Sequence, residues 1–167
     1  MLLNSNHFFK PTQGGGGLPA EDGVVRNNLF SGLTSGIQTI NASSSATGTN
    51  GAHKASNRIV GGTDRWQGGT SLPQWWEINF GEDQTIYSFR FAAGSGRHPT
   101  AYRIESSDDG TTWTERHSVS GIPTLATGEW TTLESLTTPA EAQWWRFFIT
   151  AQSSTSQIRV AELEFRS

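Results

Sequence analysis

Four histidines, His7, His53, His98 and His117, are scattered along the chain. None shows the His-x-His or His-Glu-x-x-His spacing that converges two imidazoles on zinc. There is no Gly-x-Ser-x-Gly elbow, phosphate-binding loop or dinucleotide fingerprint. Gly61-Gly62 and Gly68-Gly69 flank Trp66, but no helical pattern follows them, so they are not a phosphate cradle. Asp108-Asp109 offers adjacent carboxylates, yet with Gly110 behind it Asp109 is read as part of a tight hairpin turn. With no cysteine, a thiolate nucleophile, a thiolate metal site and a disulfide scaffold are all excluded. An enzyme is not expected. What remains is recognition chemistry. Arg97 and His98 lie in the Gly- and Pro-shaped stretch Gly94–Thr100, where they offer charged and switchable donors to hydroxyls or carboxylates.

Those donors need a scaffold, and the composition favours strands. Of the 167 residues, 58 are Gly, Ser or Thr, which suit strands and turns better than helices. Seven Trp and nine Phe supply enough large side chains for one core. Trp76, Ile78 and Phe80 alternate with Trp75, Glu77 and Asn79, as half-buried strands require. Gly81-Glu82-Asp83-Gln84 is read as a turn, after which Tyr87, Phe89, Phe91 and Ala93 share a face. Tyr102, Ile104 and Ser106 mark a further strand, and Asp109-Gly110 turns it into a return strand bearing Trp113 and Val119. Two closing strands follow, 143–150 with Trp145, Phe147 and Ile149 in alternation, and 158–165. In the last, Ile158 and Val160 have one parity and Leu163 and Phe165 the other, so a β-bulge is expected near Ala161. No segment carries a helical stripe. The fold class is an all-β sandwich of short strands.

Residues 1–33 read differently. They hold Gly14-Gly15-Gly16-Gly17, Pro11, Pro19 and isolated apolar pairs without period. The expectation is an extended arm that docks Phe8, Phe9, Leu29 and Phe30 on a partner, with a sandwich over 34–167; an unattached leader is the alternative. Lys and Arg number 12 against 15 Asp and Glu, a net −3 that argues against a nucleic-acid partner held by net charge. Nothing approaches the ~20 apolar residues of a membrane span, and Met1-Leu2-Leu3-Asn4-Ser5 lacks a basic export region.

From about Asn41 onward the chain resembles the discoidin family, also called coagulation-factor 5/8 type C or galactose-binding-like domains, to which family 32 carbohydrate-binding modules are similar. The resemblance rests on several stretches in order. Ala42-Ser43-Ser44 opens the domain, Trp66 follows a polar stretch, and Trp76-Glu77-Ile78-Asn79-Phe80-Gly81 forms a core strand. Ser107-Asp108-Asp109-Gly110-Thr111-Thr112-Trp113 is the most recognisable element, and Trp145-Arg146-Phe147-Phe148-Ile149 and Val160-Ala161-Glu162-Leu163-Glu164-Phe165 close the pattern. It implies a jelly-roll sandwich of about eight antiparallel strands in two sheets, with ligand loops at one end. Trp66, Trp76, Trp113 and Trp145 fall at its core positions. Trp75 and Trp144 must then face the other way, and one of them is a candidate stacking platform. By the same alignment Arg97 and His98 lie beside His53 and Lys54, Asp64 and Arg65, and Gln152 and Gln157 on one rim. Many carbohydrate-binding relatives hold a structural calcium, which carried over would sit on Asn57, Asp64 and Glu162. Their A-x-D-G ligand segment is here Ala55-Ser56-Asn57-Arg58, a departure at the two positions that matter. No other cofactor is implied.

Two roles follow as expectations. In the first, the chain is a non-catalytic component of a large assembly, a bacteriophage virion made in the host cytoplasm. Its arm anchors it to other subunits, and the sandwich is displayed to a host surface glycan. In the alternative, it is a free, oligomeric lectin-like protein, cytoplasmic or exported without a signal, in which several weak sites act together. The loop tip carries Arg97-His98 in place of an apolar spike, so membrane insertion is not expected in either.

Overall fold

The computed structural model describes residues 24–25, 34–35, 38–46, 50–60 and 63–167. Phe8, Phe9, Leu29 and Phe30 lie outside these residues. The strands are β1 (Val24–Val25), β2 (Thr34–Ser35), β3 (Gln38–Ala42), β4 (Trp66–Gln67), β5 (Gln74–Ala93), β6 (Pro99–Ser107), β7 (Thr114–Ser120), β8 (Glu134–Gln152) and β9 (Arg159–Arg166). A single turn of 3-10 helix spans Ala52–Ser56. All pairings are antiparallel, as expected of the sandwich.

The two layers are halves of one hydrogen-bonded sheet. β5 and β8 are long enough to run through both. The first part of β5, from Gln74 to Asn79, pairs with β3 on one side and with Trp144–Ile149 of β8 on the other, and β6 and β7 extend that layer. The second part, from Ser88 to Ala93, pairs with β9, which also carries β4 and β1. Between them, Phe80–Asp83 of β5 oppose the single residue Gln143 of β8, and Gly81 takes φ 78°. The turn expected at Gly81–Gln84 is therefore a wide bulge inside one strand. A second irregularity, between Ile86 and Ser88, shifts parity by one residue. Ile86 and Phe89 point inward, and Tyr87, expected with Phe89 and Phe91, is left 56% exposed.

The core lies between the layers. Phe89, Phe91 and Phe165 of one layer meet Tyr102, Phe147, Trp76 and Trp145 of the other at ring-centroid distances of 5.2–6.4 Å. The three buried tryptophans each place an indole N–H on a carbonyl, as burial of a donor demands. Trp66 donates to Ser44 (2.9 Å), Trp76 to Ala52 (2.8 Å) and Trp145 to Ala142 (3.1 Å). The bulge expected near Ala161 is present. Ala92 pairs with Glu162 and Ala93 with Val160, so Ala161 has no partner and both parities of β9 reach the core.

Trp113 is a correction. It sits half-buried on the outer face, with the Arg146 guanidinium 4.0 Å from its ring centroid. The neighbouring loop is also longer than the tight turn expected, running from Asp108 to Trp113 with only Gly110 at positive φ, 70°. Ser107 Oγ accepts the N–H groups of Asp109 and Gly110, and the Asp109 carboxylate accepts those of Thr111 and Thr112. These bonds hold the Asp109 carboxyl well below the usual carboxylate range. Gly110 lies against the ring of Trp144, where a Cβ would come within 3.0 Å of it, and Trp144, like Trp75, is half-buried.

Val24 and Val25 pair with Arg166 and Phe165 of β9, and Thr34 and Ser35 with Thr39 and Gln38 of β3. The sheet of this chain thus takes in residues from the segment read as arm, ten positions before the boundary drawn at 34.

Candidate functional site

The end of the sandwich where β5 hands over to β6 and β8 to β9 is built by four loops tied to one another. Gln74, buried at the start of β5, organises the first two. Its side-chain oxygen accepts the Ser43 hydroxyl at 2.7 Å and that of Ser44, while the Gly69 N–H donates to Ser44 Oγ at 2.6 Å. Gly68 must be glycine for a packing reason: a Cβ there would come within 2.7 Å of Ile158. That closeness lets Gly68-Gly69 and Ile158 join the two loops by backbone hydrogen bonds, Gly68 N to Ile158 O and Ile158 N to Gly69 O.

The other two loops are joined in the same manner. His98 N donates to Ser153 Oγ (3.1 Å), Ser153 Oγ donates to Gly96 O (3.2 Å), and Arg159 N donates to Arg97 O (2.8 Å). Gln67 donates to Gln157 across the rim (2.8 Å), and Gln152 reaches the Thr70 carbonyl (3.2 Å). The rim is a single hydrogen-bonded surface drawn from distant parts of the chain.

Of the residues expected there, Arg97, Arg65, Gln152 and Gln157 are brought to this rim. His98 is not available to a ligand. It is fully buried, with one ring nitrogen 2.9 Å from the Pro99 carbonyl and the other accepting the Leu125 N–H at 3.1 Å. Its role is to pin the 121–125 segment to the base of the loop. His53, Lys54 and Asp64 form a separate cluster beside the 3-10 helix, with Lys54 Nζ 2.9 Å from Asp64. Burial, and then the Lys54 charge, push the His53 imidazole below its ordinary pKa against the pull of Asp64.

The residues proposed for calcium do not fit it. One Asp64 oxygen holds the Lys54 ammonium, and the other accepts the Asn57 amide at 2.8 Å. Asn57 presents a donor where a metal needs oxygen, because its own Oδ1 accepts the Ile59 N–H (3.0 Å). Glu162 accepts the Arg58 N–H at 2.9 Å. Arg58, standing where the family pattern has glycine, keeps the left-handed conformation with φ 67°. Among the described residues, no group of three or more His, Asp or Glu side chains converges.

One residue of the rim was not foreseen. Arg159 opens β9 directly after the 152–158 loop and extends its guanidinium to Ser95 Oγ (3.1 Å). The sequence signal was its parity: it lies between Ile158 and Val160, both fully buried, and must point away from them.

An antiparallel sandwich with a braced, polar loop rim at one end defines a class of small recognition domains. The F5/8 type C domain matches residues 39–163, and the chain belongs to that family. Solved structures of the same fold include chitosan-binding module 2 of a Paenibacillus sp. IK-5 chitosanase/glucanase in complex with chitotriose, at 23% identity and TM-score 0.63 over 78% of this chain and 97% of that one. A family 32 carbohydrate-binding module of Clostridium perfringens in complex with GalNAc-β-1,3-galactose has 17% identity and TM-score 0.66, covering 82% and 100%. The family 32 module of AlyQ, in complex with 4,5-unsaturated mannuronic acid, has 19% identity and TM-score 0.61, covering 76% and 92%. No curated protein matches the chain in sequence.

Proposed function

We propose that the chain is a non-catalytic saccharide-recognition domain that binds its ligand on the rim formed by Ser43–Ala46, Arg65–Pro73, Gly94–Arg97 and Gln152–Arg159. The observation that carries this reading is the bracing of the rim. Loop-to-loop hydrogen bonds, from Gln74–Ser43 through Gln67–Gln157 to Ser153–Gly96, fix polar side chains in place before any ligand arrives. Such pre-organisation lowers the ordering cost that otherwise weakens a small, shallow site. Saccharides in the similar modules support the same class of ligand here. The test is a glycan array read with the full chain and with Arg97→Ala. Loss of signal in the variant places binding on this rim. Retained signal moves the site elsewhere, and no signal from any saccharide overturns the reading.

We propose further that the segment before Val24 anchors the domain in a larger assembly, a bacteriophage-like particle, leaving the rim free to meet a surface glycan. What supports this is sequence alone: the glycine run Gly14–Gly17 and the apolar pair Phe8-Phe9 before the sheet. Because Val24–Val25 belongs to the sheet, the informative truncation removes residues 1–23 and leaves β1 intact. Light scattering and particle incorporation of that variant decide the matter, and an unchanged mass with unchanged incorporation overturns it. A homo-oligomer that falls to monomer would favour the free lectin instead.

A further inference from the structure

Arg65, Arg97 and Arg159 come from three separate stretches of chain and meet around Gly94. The Arg97 carbonyl accepts the Arg159 N–H, and the Arg159 carbonyl accepts the Gly94 N–H at 3.2 Å. A Cβ at Gly94 would lie 3.0 Å from the Arg159 backbone and 3.0 Å from Cδ of Arg65, so the glycine lets the two arginine stems close over the loop. The nearest acceptor recorded for the Arg159 guanidinium is a neutral hydroxyl, that of Ser95. Its Nε is shut off from water with no hydrogen-bond partner among the described residues.

Four arginines elsewhere in the sheet do meet carboxylates. Arg90 and Arg166 rest on Glu164, and Arg103 and Arg146 on Glu105. Among the described residues, neither Arg97 nor Arg159 has a carboxylate within ion-pair distance. Like charges held side by side repel, and desolvation adds to the cost. Arg159 shows both effects, its pKa lowered by burial first and then by the charges of Arg65 and Arg97. A chain with a net charge of −3 has glutamates to spare, yet sets none beside Arg97 or Arg159 among the described residues.

We infer that the rim takes a saccharide bearing an anionic group, a uronate carboxylate or a sulfate ester, which Arg65, Arg97 and Arg159 grip together. Planar guanidinium forks match either group in a bidentate manner, and an anion would relieve the mutual repulsion as it binds. The inference rests on the saccharide-recognition reading and narrows it to one class.

Titration calorimetry on the full chain tests it with four probes: oligogalacturonate, a sulfated galactan oligomer, an uncharged galactan oligomer, and polyglutamate as an anion without sugar. Binding of either acidic saccharide is expected to be at least about tenfold tighter than that of the uncharged one and to weaken with salt. The first two probes tell carboxylate from sulfate. Arg97→Gln and Arg159→Gln are each expected to lose about tenfold or more for the acidic ligand. Arg116→Gln, on β7 at the far end of β6, should lose nothing. Arg97 is a half-exposed loop residue, so its variant keeps the fold even if Arg159→Gln does not. If the uncharged oligomer binds as well as the acidic ones, or Arg97→Gln leaves acidic binding intact, the anionic inference falls while saccharide recognition stands. Polyglutamate binding as tightly removes the sugar from the inference. No binding by any saccharide overturns both.

Discussion

Two groups of arginines sit in the same sandwich under opposite rules. On the outer face of the β3–β5–β8–β6–β7 layer, Asn41, Glu77, Arg146, Glu105 and Glu115 stand opposite one another strand by strand. Arg146 donates to Glu105 at 2.7 Å and covers Trp113. Arg103 reaches the same glutamate at 3.2 Å and lies 4.5 Å from the ring centroid of Phe148. Each charge there has a partner and each long stem covers an aromatic ring, which is how a flat sheet face remains compatible with water. At the loop end, three arginines share one glycine and Arg97 and Arg159 meet no carboxylate. The first arrangement serves the fold. In the second, Arg97 and Arg159 have no carboxylate of this chain beside them among the described residues, which leaves their charge to something from outside.

The largest expected effect comes from making the first region resemble the second. Glu105→Ala removes the shared acceptor of Arg103 and Arg146 at a position whose side chain is only 7% exposed. Breaking a largely buried pair from one side leaves a charge unpaid, so a loss of about 3 kcal/mol in urea denaturation is expected. A loss below about 1 kcal/mol would mean that the stacking of Arg146 on Trp113 and Phe148 holds the face without the glutamate, and the proposed difference between the regions would blur. Binding at the rim should be unaffected, since Glu105 lies on another part of the molecule.

How far this division was legible in the sequence depends on the range of the interactions involved. Period-two burial in 76–80, 145–149 and the two halves of β9 is local, and it was readable down to the bulge at Ala161. The segment Gly81–Gln84 was not. A glycine among polar residues gives one signal for a hairpin turn and for a wide bulge, and only the partner strand decides. His98 shows the same limit from the side of chemistry. Its residue type suggests a ligand donor, whereas its ring is claimed by the N–H of Leu125, 27 residues away. Trp113 matched a core position by pattern and lies on the outer face against the guanidinium of Arg146, a residue of another strand. Arg97 was legible as a loop donor, and Arg65 as its neighbour. Their meeting with Arg159 was not, because it depends on the closure of three loops over Gly94.

A smaller and opposite change sharpens the comparison by giving the loop end an internal carboxylate of its own. Ser95 already accepts from Arg159 Nη1, so Ser95→Asp places an anion where a hydroxyl now stands. In a half-exposed setting such a pair is worth roughly 0.5–1 kcal/mol, and the variant should gain that much stability in the same urea titration. The same carboxylate competes for the arginines, so affinity for an acidic saccharide should fall even as stability rises. Neither result alone would be decisive, because a surface aspartate is often neutral and a loop substitution often weakens binding. Their conjunction is what arginines kept for a ligand require, since only a charge that the fold does not use can be neutralised with profit to the fold and loss to recognition. A variant that binds acidic saccharide as the parent does would show that these guanidiniums do not hold it.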